Sequence, residues 1–182
     1  MTNTFFQRAG CAALLAAMAL AGHAALKPGD TAPAFKTEAA LAGKPFAFDM
    51  AEALRKGPVV LYFYPKAFTK GCTIEAHAFA EATPEFNQLG ATVIGISHDD
   101  IDTLKKFSTE ACRSQFAVAS DPDAATISAY DAASASHPGM ASRISYVIDS
   151  QGKIVFAHEG DDPLRHVQLT LQAVQRLHAA KP

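Results

Sequence analysis

Seven consecutive residues, Pro58-Val59-Val60-Leu61-Tyr62-Phe63-Tyr64, carry no charge and run straight into Pro65. β-Branched and aromatic side chains favour an extended strand, and a strand apolar on both faces must be covered on both faces. A second run, Thr92-Val93-Ile94-Gly95-Ile96-Ser97, has the same character. Between them Ile74, Ala78, Phe79, Ala82, Phe86 and Leu89 recur at helical spacing, which predicts a helix over 73–89, broken or kinked at Pro84 and ended by Gly90. Strand, helix, strand is the unit that builds a parallel pair.

The rest of the chain extends this pattern. Leu26–Phe35 is punctuated by Pro and Gly and reads as extended. Asp99-Asp100 is a helix-capping signal before a helix over Ile101–Cys112, with Leu104 and Phe107 inward. Phe116–Ala119 is a short strand, Asp121-Pro122 opens a short helix over Asp123–Tyr130, and Ala132–Met140 is a loop. Ser142–Ile148 and Lys153–His158 are strands joined by the turn Asp149-Ser150-Gln151-Gly152. Pro163 opens a last helix whose stripe is Leu164, Val167, Leu171, Val174 and Leu177. The expectation is an α/β protein of thioredoxin-like fold, with a central mixed β-sheet flanked by helices. Phe46, Phe48, Phe63, Phe68, Phe79 and Phe86 are expected mostly in its core, with Phe68 the one that could instead line a pocket.

With 182 residues, 49% of them hydrophobic and 19% charged, the chain has room for one domain and an ordinary core. A net charge of −2 and no basic run argue against a nucleic-acid partner. The first 24 residues differ from the rest. One cation, Arg8, precedes the small apolar run Cys11–Gly22, and His23-Ala24-Ala25 follows with small residues where a signal peptidase cuts. This order reads as a signal peptide over 1–24, a single domain over 25–182, and a periplasmic destination without a membrane anchor after cleavage; the alternative is a buried N-terminal helix. Cleavage removes Cys11 and leaves Cys72 and Cys112. In an oxidising compartment such a pair is either a structural disulfide or a working redox couple. Their separation of 40 positions fits no compact zinc motif, and no cofactor or metal is expected.

Cys72 falls where the strand ending at Tyr64 gives way to a helix. Unpaired backbone N–H groups and the helix dipole favour an anion there, and the thiolate is the nucleophilic form of cysteine. The spacing Pro65, Thr69, Cys72 is PxxxTxxC, and Ser142-Arg143-Ile144-Ser145-Tyr146-Val147-Ile148-Asp149 follows late in the chain. Here the sequence resembles the peroxiredoxins, and among them the bacterioferritin-comigratory, or peroxiredoxin Q, type. Lys27–Phe35, Val93–Ser97 and Ser120-Asp121-Pro122 extend the likeness across nearly all of residues 25–182.

The resemblance implies a thiol-dependent peroxidase acting on hydrogen peroxide and alkyl hydroperoxides. Cys72 is then the peroxidatic thiolate and is oxidised to a sulfenic acid. Thr69 hydrogen-bonds peroxide and thiolate, Pro65 shields the intermediate, and Arg143 holds thiolate and peroxide oxygen together. Glu75 either orients Arg143 or simply suits a first helical turn. The resolving cysteine that many members of the subgroup carry five positions after the nucleophile is replaced by His77. Cys112 is the internal candidate to resolve; otherwise it is a buried thiol and an external thiol does the work. The implied partners are a peroxide and a thioredoxin-like, glutaredoxin-like or small-thiol reductant, with the protein a monomer or weak homodimer. A thiol–disulfide oxidoreductase of similar fold would want CxxC, where Glu75 stands, and a copper-assembly protein CxxxC, where Ala76 stands. A chaperone role leaves no residue signature. His98 and His137 read as ordinary loop residues.

Overall fold

The computed structural model describes residues 25–180; the signal-peptide reading of 1–24 lies outside them. In chain order the elements are β1 (Lys36–Leu41), β2 (Lys44–Asp49), α1 (Met50–Lys56), β3 (Val59–Phe63), α2 (Lys70–Gln88), β4 (Thr92–Ser97), α3 (Ile101–Glu110), β5 (Ala117–Ser120), α4 (Ala125–Ala129), β6 (Ile144–Ile148), β7 (Ile154–Glu159) and α5 (Pro163–Ala179). The strands form one mixed sheet in the order β2-β1-β5-β4-β3-β6-β7. β3 pairs parallel with β4 and β4 with β5, whereas β6 pairs antiparallel with both β3 and β7.

β3 is buried along its whole length. Its alternation sorts side chains into two cores. Val60 and Tyr62, with Tyr64 just beyond, face a layer containing Phe79, Phe86, Phe107 and Val174 from α2, α3 and α5. Val59, Leu61 and Phe63 face Met50, Ala53, Ile127 and Tyr130 around α1 and α4. Cys72 and Cys112 both belong to the first layer.

The structure corrects several expectations. α2 runs unbroken through Pro84. Proline removes one helical N–H, and in the turn beside it the buried Thr83 hydroxyl donates to the Phe79 carbonyl at 2.7 Å. α3 ends at Glu110, so Cys112 lies past the helix. The short helix after Asp121 covers only Ala125–Ala129, held by the Asp121 carboxylate, which accepts from the Thr126 and Ile127 N–H groups. Arg143 immediately precedes β6. Leu164, Phe46 and Phe68 are exposed by 56%, 40% and 46%, so none of them is core.

The hairpin β1–β2 and helix α1 have no counterpart in the sequence reading. Their burial follows no clean alternation, and α1 is only seven residues long. The readable signal was the loop: Ala42 and Gly43 both take positive φ, as a two-residue hairpin turn requires, between the paired Leu41 and Lys44.

At the opposite side of the sheet, residues 29–32 lie against the outer edge of β7. The Gly29 N–H donates to the Ile154 carbonyl, the Ile154 N–H to the Asp30 carbonyl, and the Ala32 N–H to the Gly152 carbonyl, at 2.8, 3.0 and 2.9 Å.

Candidate active site

β3 delivers the chain to the carboxyl end of the sheet, where the Tyr64 N–H still donates to the Ile96 carbonyl. The loop from Pro65 to Thr69 then turns into α2. Asp99, two residues past β4, secures it: its Oδ2 accepts from the Ala67 N–H at 2.7 Å and from the Ser97 hydroxyl at 2.8 Å. Phe68 takes a positive φ of 63° and sets its ring edge-on to Phe107 at 5.1 Å.

Thr69 is the N-cap of α2. Its hydroxyl does not cap the helix but donates to the Lys66 carbonyl at 3.0 Å, which leaves oxygen lone pairs free to accept. Cys72 is the third helical residue, buried to 2% exposure, with its thiol free. At this position the first-turn N–H groups and helix dipole favour negative charge.

Arg143 reaches this turn from across the sheet. Its Nη2 lies 3.5 Å from the Cys72 sulfur, and its Nη1 donates to Glu75 Oε2. Gly71 makes the approach possible: a Cβ there would stand 3.1 Å from Arg143 Nη2. Glu75 is completely buried, and its other oxygen has no hydrogen-bond partner among the described residues. Burial pushes its carboxyl up to about 8, and the Arg143 charge and hydrogen bond only partly oppose this. The carboxyl is thus biased toward its neutral form, while its Oε2 still accepts from the guanidinium.

Pro65 and Arg143 also line a polar cavity of about 720 Å³, with His137, Ser142, Glu159 and Asp161 on its wall. His137, read from sequence as an ordinary loop residue, therefore faces the same cavity as Arg143. Phe68 is not part of that wall. His98 does behave as a loop residue, with Nδ1 3.1 Å from the Asp121 carbonyl. A separate groove beside Phe46 and Phe116 contains neither thiol.

Cys112 is completely buried, and among the described residues no charged group offsets this; burial alone pushes its thiol well above the ordinary range. Just after it Arg113 and Ser114 both take positive φ, 50° and 59°, a conformation that L-residues adopt at a cost. The turn is tied to α2 by an exposed ion pair, Arg113–Glu81 at 3.0 Å. The structure thus brings Pro65, Thr69, Cys72, Glu75 and Arg143 to one place and sets Cys112 in the adjoining core. Gly71 and Asp99 were missed as contributors. Gly71 carries no signal of its own, and Asp99 was legible only as a helix-capping residue.

A sequence profile described as the AhpC/TSA family matches residues 28–157. The chain belongs to this peroxiredoxin family. It is 35% identical over 121 residues to the chloroplastic peroxiredoxin Q of Triticum aestivum, covering 66% of this chain and 55% of that protein. The chain thus spans a little over half the length of the curated plant relatives it matches. The crystal structure of peroxidoxin BcpB from Mycobacterium tuberculosis superposes with a TM-score of 0.73 at 28% identity, covering 86% of this chain and 99% of that one. A peroxiredoxin Q structure from Xanthomonas campestris gives 0.68 at 26% identity, over 78% and 90% of the two chains. Within the family the likeness is to the bacterioferritin-comigratory and Q type.

Proposed function

We propose that the protein is a thiol-dependent peroxidase that reduces hydrogen peroxide and alkyl hydroperoxides through Cys72. The observation that carries this is the Arg143 guanidinium 3.5 Å from the Cys72 sulfur, in the first turn of α2, with the buried Glu75 holding its other nitrogen. The Cys72 thiolate attacks the nearer oxygen of the peroxide. The S–O bond forms as the O–O bond breaks, giving a Cys72 sulfenic acid and an alkoxide or hydroxide that leaves as alcohol or water once protonated. Arg143 meets the charge developing on the oxygens. Thr69, whose hydrogen is committed to Lys66, accepts the peroxide O–H, and Pro65 walls the pocket.

Resolution falls to Cys112. Its thiol displaces water from the sulfenic acid to form a Cys72–Cys112 disulfide, which a thioredoxin-like or glutaredoxin-like dithiol, or a small thiol, then reduces. Because Cys112 is buried, resolution requires the end of α3 to open. The two strained residues after it support that opening, and the exposed Arg113–Glu81 pair opposes it only weakly. The composition of residues 1–24 supports export to the periplasm, with the domain beginning at Ala25.

The test is peroxide consumption by wild type, Cys72→Ser and Cys112→Ser, with mass spectrometry of the oxidised chains. An inactive Cys72→Ser and an intramolecular disulfide in wild type are expected. A Cys72→Ser variant as fast as wild type overturns the proposal. Full turnover by Cys112→Ser overturns the resolving role alone.

A further inference from the structure

One completely buried histidine takes no part in the chemistry just proposed. His166 lies on the inner face of α5, and both of its ring nitrogens are engaged. Nε2 is 2.9 Å from the Gly160 carbonyl oxygen, and Nδ1 is 2.8 Å from the Ser145 hydroxyl on β6. A carbonyl only accepts, so Nε2 carries the hydrogen. In the neutral ring Nδ1 is then the acceptor and Ser145 the donor. Burial favours that neutral ring, pushing the imidazole down to about 4. The titratable and charged groups around it are His158 on β7, whose ring centroid is 4.6 Å away, Arg143 ahead of β6, and Asp162 at the start of α5.

Both partners of this ring lead to Arg143. Ser145 is two residues along the same chain segment. Gly160 follows β7, and its N–H donates to the Arg143 carbonyl at 3.2 Å, adding a rung beyond the Ile144–Glu159 pair. That rung is the hydrogen bond holding the Arg143 backbone where β6 begins. His166 holds the carbonyl of the same residue, Gly160. The chain of contacts runs from helix α5 through the imidazole and the single residue Gly160 to the residue whose guanidinium meets the Cys72 sulfur.

We propose that His166 is a positioning residue for the peroxidase reaction, locking Gly160 and Ser145 so that Arg143 is held against Cys72. The proposal rests on the Cys72–Arg143 reading above. A guanidinium displaced by an ångström loses much of its effect on a reaction that depends on alignment. The imidazole is therefore a brace for the strand end.

The test compares His166→Gln, whose amide can still donate to Gly160, with His166→Asn, which is too short to reach it. Both are measured where circular dichroism shows the full native signal. His166→Asn slows oxidation of Cys72 by hydrogen peroxide about tenfold or more and moves the pH midpoint of Cys72 alkylation upward; His166→Gln recovers most of both losses. In an Arg143→Ala background, His166→Asn costs nothing further, because the group it positions is gone. Equal rates for the two variants, or a full additional loss in the Arg143→Ala background, overturn the proposal. Should His166→Asn not fold, nitrogen-15 NMR of wild type decides. A neutral ring protonated at Nε2 is required, and protonation at Nδ1 overturns it. Each rate is read against wild type and Cys72→Ser, so an inactive wild type would fail the peroxidase reading and not this one.

Discussion

The two thiols of this domain share one apolar layer and have opposite surroundings. Cys72 sits in the first turn of a 19-residue helix, with a guanidinium within hydrogen-bonding reach. Cys112 sits just past the end of a helix, and its environment does nothing but exclude water. Near equal burial therefore leads to different chemistry. In the proposed reaction one thiol works in the folded state, and the other reacts only when its segment opens. Orientation of backbone dipoles and one cation, and not depth, separates the proposed nucleophile from the proposed resolving thiol.

The sharpest way to break this contrast is to exchange the thiols' fates. Cys72→Ser abolishes peroxide reduction. Cys112→Ser keeps the first oxidation, read as a single-turnover burst, and loses turnover with a dithiol reductant. Removing the cation comes next. Arg143→Ala slows Cys72 oxidation by about a hundredfold to a thousandfold, the usual loss for a donor that meets developing charge. Stopped-flow fluorescence or competition with catalase measures it. Gly71→Ala is gentler. A Cβ 3.1 Å from Arg143 Nη2 pushes the guanidinium aside, and the rate falls about tenfold to a hundredfold while the melting temperature barely changes.

A pH prediction separates the acid from its neighbours. The Glu75 carboxyl titrates near 8 in the folded protein, well above an unfolded glutamate. Between about pH 4.5 and 8 the unfolded chain has therefore lost a proton that the folded chain keeps, and stability falls as pH rises through that window. Glu75→Gln removes this part of the slope in urea melts taken across the range. The smallest effect concerns Cys112. Breaking the exposed Arg113–Glu81 pair with Arg113→Ala speeds labelling of Cys112 by only about twofold to fivefold, in keeping with the modest strength of surface ion pairs. An unchanged labelling rate would mean that the turn after α3 opens independently of α2.

How much of this could be read from the chain depends on distance along it. β3, β4, α2 and α5 announce themselves, because a buried strand and a striped helix write their surroundings into consecutive residues. The β1–β2 hairpin does not. Its faces are unevenly buried, and the only marker is a two-residue turn whose first member is Ala42, not the glycine or asparagine such turns favour. Within the site, Cys72 and its place at a helix start are local and legible. The meeting of Arg143 with Glu75 and Cys72 spans about 70 positions, and only the family resemblance pointed to it. Gly71, Asp99 and His166 matter through close approaches that exist only after folding: a side chain that is absent, a carboxylate on a loop N–H, and an imidazole on a carbonyl. Pro84 misled for the complementary reason. A local rule predicted a break, and tertiary packing along α2 and α5 overrode it.

The strip of residues 29–32 along β7 sets a practical limit on how far the amino terminus can be trimmed. An exopeptidase that stops near Ala25 leaves the three hydrogen bonds to Gly152 and Ile154 untouched. One that proceeds to Pro33 bares the backbone of an outer strand, and an uncovered outer strand recruits other chains. Ragged processing by a few residues would therefore first show as clumping on storage, while freshly prepared protein still turned over.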